Sequence, residues 1–141
     1  MTSTPYQTVD AVRRPGVSWI PFTYVNAAIA TGDILVDFVP GYNFKLIGLQ
    51  AVASTVVTTG SKAATITAKV DGTLTTGGAL ALTSANLTPL GAVVAGATLT
   101  DVNMPVGTPT SKIRLTASSV TTFSEGTTVI YIGIQNLDSA I

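Results

Sequence analysis

The sequence predicts an all-β fold, a single antiparallel β-sandwich, and three observations carry that reading. Threonine and β-branched residues dominate from about residue 31 onward, which suits a pleated, half-buried surface. Glycine or proline interrupts them at short intervals, so the segments have strand length rather than helix length. Several segments alternate apolar and polar side chains with a period of two, and none shows the recurrence of an amphipathic helix.

Residues 1–30 read as an extended N-terminal arm. Pro5, Pro15 and Pro21 are spaced to prevent a helix and to disfavour a central strand. Tyr6, Trp19, Phe22 and Tyr24 would waste apolar area in water, so the arm is expected to lie against protein. Two alternatives stay open: an ordered strand that finishes the chain's own sandwich, or an arm docked on a neighbouring chain. Arg13-Arg14 before an apolar stretch ending in Ala28-Ile29-Ala30 imitates a secretion signal, but Pro21, Thr23 and Asn26 interrupt it.

Residues 31–141 are expected to form the sandwich. The first strand candidate is 34–39, followed by 44–57, which is long for one strand and should bend or bulge near Gly48. In 64–70, Ile66, Ala68 and Val70 alternate with Thr65, Thr67 and Lys69, so one face is buried and the other wet. Asp71-Gly72 is a hairpin signal, because a two-residue turn with positive φ suits that dipeptide. Segments 78–83 and 92–99 are further candidates, whereas 101–111 has no strand pattern and reads as a contact loop or a solvent loop. Residues 112–117 alternate again, with Ile113, Leu115 and Ala117 on one side. The last strand, 128–135, places Ile130, Ile132 and Ile134 on one face and Val129 and Tyr131 on the other, so it should be covered on both faces. About eight strands over roughly a hundred residues is the size of a jelly-roll sandwich.

Composition bounds the chemistry. Seven basic and seven acidic side chains cancel, and only 10% of residues are charged, against roughly 25% in an ordinary soluble domain. A neutral surface has little repulsion to keep copies apart and lacks the clustered cations that nucleic acid requires. No run of about 18 uninterrupted apolar residues predicts a membrane helix. Histidine and cysteine are absent, which removes the usual general base, strong nucleophile and zinc ligands.

The remaining candidates for chemistry are few. Asp33 and Asp37 are the nearest approach to paired carboxylates, and strand-end solvation is the simpler reading of them. Asp33, Asp37, Asp71 and Asp101 could supply calcium oxygens, yet no D-x-D-x-D-G cluster exists. Gly72, Gly77 and Gly78 fit no phosphate-loop pattern and read as turn glycines. Trp19, Phe22 and Tyr24 could form a sugar-stacking platform, but they sit amid Ile20, Pro21 and Val25, which favours packing in a core or interface. The expectation is a non-enzymatic chain without cofactor or metal.

The order of features resembles the small jelly-roll decoration, or cement, proteins of tailed-bacteriophage capsids. The likeness lies in the arm leading into Phe44-Lys45-Leu46-Ile47-Gly48-Leu49, and in the Thr/Gly-rich centre at 64–73 followed by Thr76-Gly77-Gly78. Phe123-Ser124-Glu125-Gly126 entering the last strand completes it. The resemblance implies a trimer on the outer surface of the virion, bound to the major capsid protein and bracing the shell. Related sandwiches in head fibres and tails leave a receptor- or glycan-binding module as the alternative. No binding residue transfers from the family one by one. The arm, through Arg13, Arg14, Trp19, Phe22 and Tyr24, is expected to make the contacts between chains.

Overall fold

The computed structural model describes residues 16–138. Strands form where the alternation runs: β1 (Val17–Val25), β2 (Gly32–Phe38), β3 (Phe44–Thr55), β4 (Ala63–Val70), β5 (Thr73–Leu74) and β6 (Leu80–Thr83). They continue as β7 (Val93–Ala95), β8 (Val106–Gly107), β9 (Ile113–Thr121) and β10 (Thr127–Asn136). Single 3-10 turns occupy Asn26–Ala28 and Asp101–Asn103. β5 and β8 raise the strand number above the expected eight; each is a two-residue pairing, too short to leave a sequence signal.

All pairings are antiparallel and make two sheets. One has the order β1-β10-β3-β7 with β8 also on β3, and the other has β2-β9-β4-β5 with β6 also on β4. With the two short strands set aside, the first of eight pairs with the last, the second with the seventh, the third with the sixth and the fourth with the fifth. That nesting is the jelly-roll wrapping.

The register shows why the long β3 needs its irregularity. Ile130, Ile132 and Ile134 of β10 all face inward and are fully buried. Opposite them, Ile132 pairs with Leu49 and Ile134 with Leu46, a change of phase that leaves Ile47 as the extra residue of a bulge beside Gly48. Both halves of β3 thereby point apolar side chains inward: Phe44 and Leu46 before the bulge, Leu49, Ala51 and Ala53 after it. Ile66, Leu80, Leu82, Ile113 and Leu115 meet them from the second sheet. At the expected hairpin, Asp71 has φ 51° and Gly72 φ 84°, the paired positive values of a tight two-residue turn.

The expected strand ends shift by a few residues, β9 running on to Thr121, and residues 17–25 and 92–99 differ from the sequence reading in ways that matter to the surface. Residues 17–25, assigned to the arm, pair with β10 along their whole length, from Val17 opposite Gln135 to Val25 opposite Thr127. Of the two alternatives for the aromatic segment, these residues adopt the strand within the chain's own sandwich. Pro21 is compatible with this because β1 is an edge strand, with one side that needs no ladder donor. The 92–99 candidate shortens to Val93–Ala95, because Gly96 still bonds to Leu49 O while Ala97 N already donates to Ala79 O, which draws the chain toward the other sheet.

Leu115 is fully buried among these side chains. Leu115→Ala should therefore lower unfolding stability by about 2–5 kcal/mol through lost transfer energy and a residual cavity, as read from urea denaturation midpoints. A loss below about 1 kcal/mol would mean that the site collapses freely and the core is not close-packed.

Candidate interaction surface

The two outer faces of the sandwich differ in kind. On the β2-β9-β4 sheet the outward side chains include Thr65, Thr67, Lys69, Arg114, Thr116 and Asp33. On the β1-β10-β3-β7 sheet they are Val17, Trp19, Pro21, Thr23 and Val25 from β1, Val129, Tyr131, Gly133 and Gln135 from β10, and Lys45, Gln50 and Val52 from β3. Val93 and Ala95 of β7 extend this face. Among the described residues Lys45 is its only charged side chain, and it is tied to Asp101 at 2.6 Å. Val25 and Val93 are 61% and 60% exposed. Among the described residues no third layer lies over this face, so the expected cover on the outer side of β10 is not provided by an element of the sandwich.

Trp19 sits where one ladder row passes from Trp19 to Gly133 to Gly48. A Cβ on Gly133 would come within 2.6 Å of the indole, so the ring rests directly over that glycine backbone. A Cβ on Gly48 would meet nothing within 4 Å, which leaves open space beyond the ring. That space is a groove of about 290 Å³, bounded by Trp19, Ile47, Gln50, Ala95, Leu99 and Met104. Its walls carry no charged group, and Trp19 remains 43% exposed beside it. The arrangement offers dispersion contact and an aromatic face, with the Gln50 amide for hydrogen bonding.

The five expected contact residues separate. Arg13 and Arg14 lie outside the described residues. Trp19 faces outward, whereas Phe22 and Tyr24 turn inward and pack, half-buried, against the core. Phe22 meets Phe38 edge to face at 5.2 Å between ring centres. The Tyr24 hydroxyl is buried without a hydrogen-bond partner, and burial pushes its pKa up to about 12. Strict alternation along β1 accounts for the division. Of the groove's far wall, Met104 lies in the 101–111 segment that reads as a contact or solvent loop, whereas Leu99 ends the 92–99 strand candidate; no local pattern brings either to Trp19, because the chain reaches the groove through irregular structure.

The acidic candidates are held in structural contacts. The Arg114 guanidinium reaches Asp33 at 3.3 Å and Asp37 at 3.0 Å, while Lys69 reaches Asp33 at 3.2 Å. The Lys69 hydrogen bond holds the Asp33 carboxyl below its ordinary range, which is the opposite of what a general acid needs. Asp71 accepts from Lys112 N and from the Ser111 hydroxyl. Glu125 accepts from Thr58 N, Thr59 N and the Thr59 hydroxyl. Asp138 accepts from Asn43 N and its amide. Of the four calcium candidates, only Asp33 and Asp37 are brought together, and cations separate them.

No protein-family model matches the chain, and no curated protein matches it either.

Asp33, Asp71, Glu125 and Asp138 are all lowered by donated hydrogen bonds, the largest from Lys69, Lys112 N, Thr59 N and the Asn43 amide respectively. A depressed folded-state pKa stabilises fully above the unfolded values of 3.8 and 4.5, and that stability disappears as pH falls through the folded values. With no histidine to titrate, the melting temperature should stay level between about pH 5 and 8 and fall below about pH 4. A melting curve that moves between pH 6 and 7 would contradict this. Gly133→Ala should lift the indole off the sheet and shift the emission of the only tryptophan to the red, with little change in the urea midpoint. An unchanged spectrum would show that the ring does not rest there.

Proposed function

We propose that this chain is a structural protein of a tailed-bacteriophage virion, decorating the outside of the capsid as a homo-oligomer, a trimer, bound to the major capsid protein. The observation that carries the reading is the contrast between the two sheets: one outer face is charged and Thr-rich, the other mainly apolar over four strands, its one cation among the described residues, Lys45, paired with Asp101. A face of the second kind is suited to being covered by protein. The resemblance to capsid cement proteins, carried by the segment leading into 44–49, the Thr/Gly-rich centre and the 123–126 entry into the last strand, supplies the particular assembly. Such a protein works by repetition, since a modest contact repeated around a shell gains avidity without any one contact being tight.

The test is sedimentation of purified protein with emptied, expanded shells from a panel of tailed phages. Saturable recovery in the shell pellet at micromolar concentration is expected for at least one shell. Protein left entirely in the supernatant with every shell would sink the reading.

A second reading is a receptor- or glycan-binding module, favoured by the indole that lies flat on Gly133 beside an uncharged groove containing Gln50. It requires a neutral sugar to perturb Trp19 emission in a saturable way; a flat titration across a glycan set removes it.

A further inference from the structure

We infer that the cover of the apolar face is supplied by further copies of the same chain, with the Trp19 groove inside the contact. The inference rests on reading this face as a protein contact surface and names which surface the copies share.

Four features favour a copy as the occupant. The first is charge: Lys45 is closed onto Asp101 at 2.6 Å, so the face neither steers a charged partner nor repels an identical one. The second is area. A nine-residue β1 spans about 30 Å and four strands about 19 Å, giving a face of roughly 570 Å². The segment through Asp101–Asn103 enlarges it, with Val102 88% exposed. Monomers seldom expose apolar patches beyond about 300–600 Å², whereas a stable contact buries about 800 Å² per partner. The whole face, its polar side chains included, is therefore about as large as the largest apolar patch of a typical monomer, and mutual covering brings it toward the range of a stable interface.

The third feature is the edge. Pro21 sits in the middle of β1 and lacks an N–H, so copies are hindered from continuing the sheet edge to edge. The fourth is the back of the sandwich, where Asp33, Asp37, Lys69, Lys112 and Arg114 form a hydrated ion cluster. Apolar face against charged back would desolvate that cluster, so the copies meet through the apolar face on each side.

The experiment uses the full chain in sedimentation equilibrium over the micromolar range, alongside Trp19 emission. Val17→Lys and Val93→Lys place charges at opposite edges of the face, at positions 52% and 60% exposed, where the fold tolerates them. Thr67→Lys places the same charge on the back as a control. Wild type should sediment as an oligomer whose emission moves to the blue as concentration rises. Each face variant should weaken association by about tenfold or more, while the control associates like wild type. A wild type that stays monomeric, or face variants that associate as tightly as wild type, overturns the inference. A monomer that still pellets with phage shells overturns it, and the trimer with it, while leaving the shell-binding part of the proposed function standing; an oligomer held by this face that binds no shell does the reverse.

Discussion

The fold depends on reconciling two alternations across one ladder. β10 keeps its period of two through Ile130, Ile132 and Ile134, while β3 carries its apolar residues at 44 and 46 and then at 49, 51 and 53. Paired without an irregularity, one half of β3 would turn its apolar set to the outside, because a shift of one residue reverses every side chain. The bulge at Ile47 and Gly48 absorbs the extra residue. A twelve-residue strand can then face the core along its whole length and pair with β10, β7 and β8.

The same correction shapes the outer surface. The bulge sets Gly48 beside Gly133 in one row, and both lack a side chain, so the sheet has a bare strip where every neighbouring row carries one. Trp19, in the same row on β1, lays its ring over that strip, an aromatic cover of glycine backbone. The ring ends before the strip does, and the remainder is the groove. Core phase and surface recess are thus two sides of one local event, and a change at Ile47 acts on both.

Much of this was legible in the sequence, and the exceptions have physical reasons. The alternation in β4, β9 and β10, the turn at Asp71-Gly72 and the bulge near Gly48 depend on local pattern, which one chain displays directly. The membership of β1 was ambiguous because Pro21 excludes a central strand yet permits an edge strand, and only the pairing partner decides between edge and arm. The division of the aromatic residues followed once β1 was a strand: Phe22 and Tyr24 share one parity, Trp19 the other. The groove was illegible because its walls come from β1, β3, β7 and the irregular segment before β8, brought together by wrapping rather than by spacing.

The scarcity of charge acquires a structural sense from where the carboxylates lie. Each described acidic side chain is engaged within the chain: Asp33 and Asp37 by Arg114, Asp101 by Lys45, Asp71 by the end of the 108–112 turn, Glu125 by the 58–59 backbone, and Asp138 by Asn43. Three of them accept backbone N–H groups where strands end, which satisfies donors that no ladder reaches. Used in this way, acidic groups hold loops in place and contribute little field at a distance. Shape and apolar area are what the described surface has left to offer, and these are concentrated on the one sheet from which charge has been withdrawn.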